Sequence, residues 1–397
     1  MDKFFKKKLK NGMTVLFEKR DLPVVSFSIS NRFGAAFEES KIKGIAHVIE
    51  HLLFTGTESR TNEEISREIE KKGGVLNAFT SHEVTSYWFK LPSEHLFSGM
   101  DIIIDMLKNP RFDKEKFEKE KKVILEEINM YHDNPMMHIY ELIEKNLYDK
   151  PFGELIIGNK KSVSELDRDF VAEFYKKVYS PENYIVTIVG NADFEKVCEY
   201  LEDNFVAEGK KPERIDIKKI NKESVQEREH IDQAHFIFAI HAPLPGSSDL
   251  IALEVLDAYL TNGMSSKLFL EIREKRGLAY SVRGTLDSEK SYSHYLIYVG
   301  TTKENLLEVK KLILEGFENV KDMTENDLEE SKEQLIGLRR VTSEEGVSVM
   351  KGLLFSELSQ GAEDYYKYED KIRKVKLEDV KRMAKIEKYS TAAIVPK

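Results

Sequence analysis

The sequence predicts an α+β protein of two homologous domains, each a sheet covered by helices on one face. Three observations carry this. At 397 residues the chain is too long for one ordinary core. Each half mixes strand-like alternation with long amphipathic helices, such as 112–132 and 324–340. Three stretches also recur in the same order in the two halves, the pattern expected of a duplication.

The N-terminal MDKFFKKKLKNGMTVLFEKR reads as a strand pair turning at Asn11-Gly12. It is basic but holds no apolar core or small-residue cleavage site, so it is not expected to be a secretion signal. The first repeat follows: IAHVIEHLLFTG (45–56) resembles ALEVLDAYLTNG (252–263). Strand SYWFKLP and helix SEHLFSGMDIIIDML (86–107) are then matched by SHYLIYVGT and KENLLEVKKLIL (293–314). Last, YKKVYSPENYIVTIVGN (175–191) and AKIEKYSTAAIVPK (384–397) both pass from a helix through Tyr-Ser into an apolar strand. Between the halves lies EGKKPERIDIKKINKES, charged and without an apolar period. The expected boundaries are therefore 1–207, a linker at 208–224, and 225–397.

Composition narrows the function. A net charge of −9 argues against nucleic acid as a partner. No apolar run reaches the roughly 20 residues of a membrane span. The one cysteine, Cys198, excludes an internal disulfide and fits a reducing cytoplasm.

The stretch GIAHVIEHLLFTGT (44–57) carries the chemistry. On a helix, Ile45, Val48, Ile49, Leu52 and Leu53 share one arc, while His47, Glu50 and His51 lie opposite. His47 and His51 are one turn apart, so their imidazoles can converge on one point, with Glu50 beside them. That suits two nitrogen ligands to Zn²⁺ and a carboxylate free to handle water. The competing reading is a solvated His/Glu stripe, and a third ligand decides between them. In DKEKFEKEKKVILEEINMYHDNP (113–135), Phe117, Val123, Ile124, Ile128 and Tyr131 define an apolar arc. Glu120 and Glu127 fall inside that arc and Glu126 outside it. A carboxylate on a core-facing stripe is costly to bury unless a cation or hydrogen bonds compensate. A metal on the other helix would do so; the alternative is pairing with lysines or a place near a solvated edge. In the second half, Glu254, Asp257 and Ala258 stand where the first has His47, Glu50 and His51, so only the first half has a metal set.

These residues resemble the inverted zinc motif of the pitrilysin/insulinase (M16) peptidases: His47-Val-Ile-Glu50-His51, then Glu127 after 75 intervening residues. The flanks FGAAFEES, FTGTESRT and LNAFTSHE agree, and GMSSKLFLEIREKRGLAYSV (263–282) is similar to the family's second signature. Asn262 and Lys267 depart from the usual Gly and Arg there. The length matches the short two-domain branch that includes mitochondrial processing peptidase and bacterial zinc peptidases.

The resemblance implies two α/β-roll domains with mainly antiparallel sheets, forming half of a clamshell. It implies one Zn²⁺ per chain on His47, His51 and Glu127, with Glu50 as general base on a zinc-bound water and Glu120 as the supporting acid. Arg276 and Tyr280 match an Arg/Tyr pair that contacts the peptide, and the edge strand through Asn77 and Ala78 would bind it as an added strand. The expected activity is hydrolysis of short or unfolded peptides in a closed chamber by a cytoplasmic homodimer, with no nucleic-acid or membrane partner. The alternatives are a non-catalytic peptide-binding subunit and a catalytic subunit needing a different partner chain.

Overall fold

The computed structural model describes residues 3–206, 212–213 and 216–397. The first sheet has six strands: β1 (Phe4–Lys8), β2 (Thr14–Lys19), β3 (Val24–Asn31), β4 (Val75–Thr80), β5 (Thr85–Pro92) and β6 (Tyr184–Gly190). Their order is β1-β2-β6-β3-β5-β4. The second sheet has β7 (Glu223–Arg228), β8 (Ala234–His241), β9 (Ala279–Glu289), β10 (Tyr292–Thr301) and β11 (Ser390–Pro396), in the order β7-β11-β8-β10-β9. Without β1 the two orders are the same, and each has a single parallel pair, β2 with β6 and β7 with β11. Matching order and orientation are what a duplicated unit would give.

The helices of the first half that bear on the site and on the domain exchange are α1 (Ile45–Leu53), α2 (Asn62–Glu70), α3 (Leu96–Lys108), α4 (Lys114–Asp133) and α5 (Pro135–Leu147). Along β3, Val25, Phe27 and Ile29 alternate with Ser26, Ser28 and Ser30, yet both sets are buried. Burial on both faces is usual for a central strand that is covered twice. Phe27 stacks on Phe89 at 5.1 Å in the apolar layer. Gly99 of α3 lets that helix close on the same layer, since a Cβ there would lie 2.7 Å from Phe89.

The chain forms two compact units. Among the described residues, the first comprises those of Met1–Asn129, Glu154–Asp216 and Thr342–Leu358, the second those of Met130–Gly153, Ile217–Val341 and Ser359–Lys397. Two helices are grouped with the unit opposite to their half of the chain. Helix Gly346–Ser359, from the second half of the chain, belongs to the first unit. Arg20 donates to the carbonyls of Ser343 (2.8 Å) and Glu344 (3.1 Å), Lys90 pairs with Glu345, and Gly346 rests against Ser26. Conversely α5 belongs to the second unit, where Asn146 donates to the Thr391 carbonyl at 2.9 Å and His138 bonds Gln226 at 3.0 Å.

Helices on one face only was therefore an incomplete expectation. On the serine face of β3, Gly346 at the start of the exchanged helix comes close to Ser26. Of the expected linker, residues 208–211 and 214–215 lie outside the described residues. Its last two residues already belong to β7, and Lys219 bridges Tyr148. Among the described residues, no helix is long and apolar enough to cross a membrane.

Candidate metal centre

Helix α1 begins without a Ser, Thr or Asp cap. Gly44 stands at its N-cap with φ +95°, a backbone that glycine favours, and a Cβ there would lie 2.7 Å from the Ile157 carbonyl. The orphan N–H groups of Gly44 and Ala46 donate instead to the two oxygens of Glu38, at 3.0 and 2.8 Å. Glu38 and Lys43 are both fully buried, 3.8 Å apart, and Lys43 Nζ also donates to the Ala35 carbonyl. Burial pushes the Glu38 pKa up, while Lys43 and the helix N–H groups oppose it. The sequence reading missed Glu38. Its only signal was the stretch FGAAFEES, and it lies too far upstream to match any helix-cap pattern.

So anchored, α1 presents His47 and His51 with ring centroids 4.6 Å apart. Glu127 Oε2 from α4 lies 3.8 Å from His47 Nε2 and 3.6 Å from His51 Nε2. These separations are long for hydrogen bonds. They suit ligands around one ion, since bonds of about 2.1 Å in a tetrahedron set neighbouring donors about 3.4 Å apart. Among the described residues this is the one group of three that could hold a metal, all donors within 4.8 Å of one another. Two nitrogens and one carboxylate oxygen suit zinc. Glu126, as the helix arc predicts, is exposed; Val123, expected in the core, is 44% exposed.

Glu120 Oε2 is 3.3 Å from His51 Nδ1, so it can take that N–H and leave Nε2 for the ion. His47 Nδ1, by contrast, is buried with no hydrogen-bond partner among the described residues. Burial and the neighbouring His51 push the His47 pKa down. Burial also opposes charge on His51, but the Glu120 and Glu127 carboxylates outweigh it and hold its pKa up at about 9. The close approach of His51 lowers the Glu127 pKa, and burial raises that of Glu50. A site without metal thus keeps a proton among its ligands, which an arriving cation must displace.

Residues 14–160 match the family model described as "Insulinase (Peptidase family M16)", and 165–335 match "Peptidase M16 inactive domain". A protein of Bacillus subtilis named "Uncharacterized zinc protease YmxG" is 31% identical over 404 residues, covering 97% of each chain. The chain belongs to peptidase family M16. An "Uncharacterized zinc protease" of Rickettsia felis is 33% identical over 83% of this chain and 81% of its own. In fold, the M16 chain is similar to a protease from Helicobacter pylori, with TM-score 0.92 at 21% identity and 99% of each chain covered. It is also similar to a structure titled peptidase M16 inactive domain from Pseudomonas fluorescens, with TM-score 0.89, 17% identity and coverage of 99% and 98%.

In this M16 chain, the counterpart of α1 is helix Ser248–Leu260, and its acids are satisfied without a metal. Tyr368 donates to Glu254 at 2.6 Å, and Tyr295 (2.8 Å) and Thr261 donate to Asp257. Burial pushes the Glu254 pKa up to about 7 from the ordinary 4.5. The folded protein then binds more protons than the unfolded chain between those values. Stability from this group is intact below about pH 4.5 and is lost as pH rises through about 7. Glu254→Gln keeps an acceptor for Tyr368 but cannot ionise. It is expected to exceed wild type by about 3 kcal/mol at pH 8 and to match it near pH 4, as read by urea unfolding at both.

The remaining expected site residues divide. Asn77 and Ala78 lie on β4, the outer strand of the first sheet. The Ala78 N–H bonds Asn77 Oδ1 at 2.7 Å rather than a neighbouring strand. In the second unit, Tyr280 is 48% exposed and lines a cavity of about 460 Å³ with Arg273, Asn262 and Phe269. Arg276 does not line it. Its Nε and Nη1 pair with Glu271 (3.0 Å) and Glu308 (3.2 Å). Arg276 follows the end of helix Leu270–Lys275, whereas Arg273 is inside it, with its guanidinium over the Phe269 ring. The sequence REKRGLAY offered both arginines, and the structure brings Arg273, not Arg276, into the cavity with Tyr280.

Proposed function

We propose that this M16 chain is a zinc metallopeptidase that hydrolyses short or unfolded peptides, with Glu50 as the general base. One observation carries the reading: His47, His51 and Glu127 converge from two helices at ligand spacing, with Glu50 on the turn between the histidines. A bound zinc ion supplies a Lewis acid and lowers the pKa of water at its open position to about 7.

The protein's own groups do the rest. Glu50, whose proton affinity burial raises, takes a proton from water at a carboxylate oxygen and delivers it to the leaving amine. Glu120 holds the His51 ring by Nδ1. β4, which carries Asn77 and Ala78, is the outer strand of its sheet and offers an edge to an extended peptide. The peptide would replace the Asn77 side chain at the Ala78 N–H, which favours unfolded substrates over folded ones. In the second unit, the cavity with Tyr280 and Arg273 offers a peptide a hydroxyl donor and a cation for its carbonyls or terminal carboxylate. The chain works in this reading as a homodimer, to be checked by sedimentation.

The test uses the purified chain and a quenched, unstructured peptide. Chelation is expected to abolish cleavage and added Zn²⁺ to restore it. Full activity of chain shown to be metal-free would overturn the reading. Tight zinc and peptide binding without cleavage would favour a peptide-binding subunit, or one dependent on another chain.

A further inference from the structure

We propose that Thr80 is a positioning residue for the reaction: its hydroxyl fixes the Glu50 carboxylate and ties it to the strand that carries Asn77 and Ala78. This rests on the reading of Glu50 as the base. Thr80 closes β4, and its Oγ1 donates to Glu50 Oε2 at 2.5 Å. No other hydrogen bond to that carboxylate occurs among the described residues, so Oε1 is left to accept a proton.

Glutamate has a long side chain whose last torsion is broad, so an unheld carboxylate would turn freely between its two oxygens. A charge-assisted hydrogen bond to one oxygen removes that freedom. The donor is itself held. Thr80 is β-branched and restricted about χ1, and it faces Thr85 on β5. The next residue, Ser81, closes the turn through its N–H to the Val84 carbonyl (2.8 Å), and its own carbonyl accepts from Ala35 (3.0 Å). The preceding Phe79 stacks on Phe355 of helix Gly346–Ser359, with Lys351 over its ring. The aim of Glu50 is therefore set by the backbone of the edge strand, and a peptide paired to β4 steadies the strand that aims the base.

Thr80→Val removes the hydroxyl and keeps the shape; Thr80→Ser restores it. Both are compared with wild type as zinc-loaded protein for kcat and KM on the quenched peptide. Zinc stoichiometry and peptide affinity of the metal-free chain, by fluorescence anisotropy, are measured alongside. The expected result for Thr80→Val is a kcat about tenfold lower, with KM, zinc content and metal-free peptide affinity within about twofold of wild type. Thr80→Ser is expected to recover at least half of kcat. A wild-type kcat in Thr80→Val, a serine variant as slow as the valine one, or a rate loss that follows zinc loss would each overturn the proposal. Glu50→Gln separates the two ideas: if it is inactive while Thr80→Val is normal, only the role of Thr80 fails; if it cleaves normally, the base itself is misassigned.

Discussion

Glu50→Gln is expected to retain zinc and to lose turnover by roughly 10²- to 10⁴-fold, the range a general acid–base group supplies. The substitution is chosen because Glu50 sits beside His51 on α1, where a change of size would disturb the ligands. Glutamine has nearly the same shape, and its carbonyl can still accept from Thr80. It cannot take up a proton. Glu50 is no candidate ligand, since the converging donors are His47, His51 and Glu127. Zinc affinity should therefore stay within a few fold of wild type. The two readouts are kcat on the quenched peptide and zinc per chain by elemental analysis. Loss of metal together with activity would mean that Glu50 helps to hold the ion, and unchanged cleavage would mean that the proton goes elsewhere.

What could be read beforehand follows from how far each pattern reaches. His47 and His51 are one turn apart, so local helix geometry alone makes them converge. Glu127 could be recognised because a carboxylate occupied an apolar arc, although the arc drawn for α4 wrongly included Val123, which faces solvent. Thr80 and Glu38 were not legible. Each acts on α1 through a contact that depends on the tertiary path of β4 or of the loop before the helix. Arg273 and Arg276 stand three residues apart, and only the helix end between them separates their surroundings. The exchange of α5 and helix Gly346–Ser359 was hidden for a related reason. An apolar stripe says that a helix must be covered, and a row of serines says that a strand can be approached closely. Neither says which sheet meets which helix, because both sheets come from one ancestral pattern and offer similar faces.

Glu127→Gln should cut zinc affinity by more than about a hundredfold, beyond the 10- to 100-fold typical when only a supporting residue is lost. The reason lies in charge as much as in count. Zinc must displace the proton that Glu120 and Glu127 stabilise on His51, whose pKa stands at about 9 without metal. Removing Glu127 has two opposed effects. It lowers the proton affinity of His51, which helps the metal compete. It also removes the one anionic donor of the set, leaving two neutral nitrogens and an amide oxygen to hold a divalent cation. The second effect dominates, because the eased proton release is worth no more than the part of the His51 shift that Glu127 supplies, and Glu120 still supplies the rest. Competition against a chromophoric chelator at pH 7.5 reads the change, with Glu126→Gln as control: that neighbour is exposed on the same helix and should bind zinc as wild type does. Equal affinity in the two variants would show that the third ligand is not Glu127, and the two-helix site would have to be abandoned.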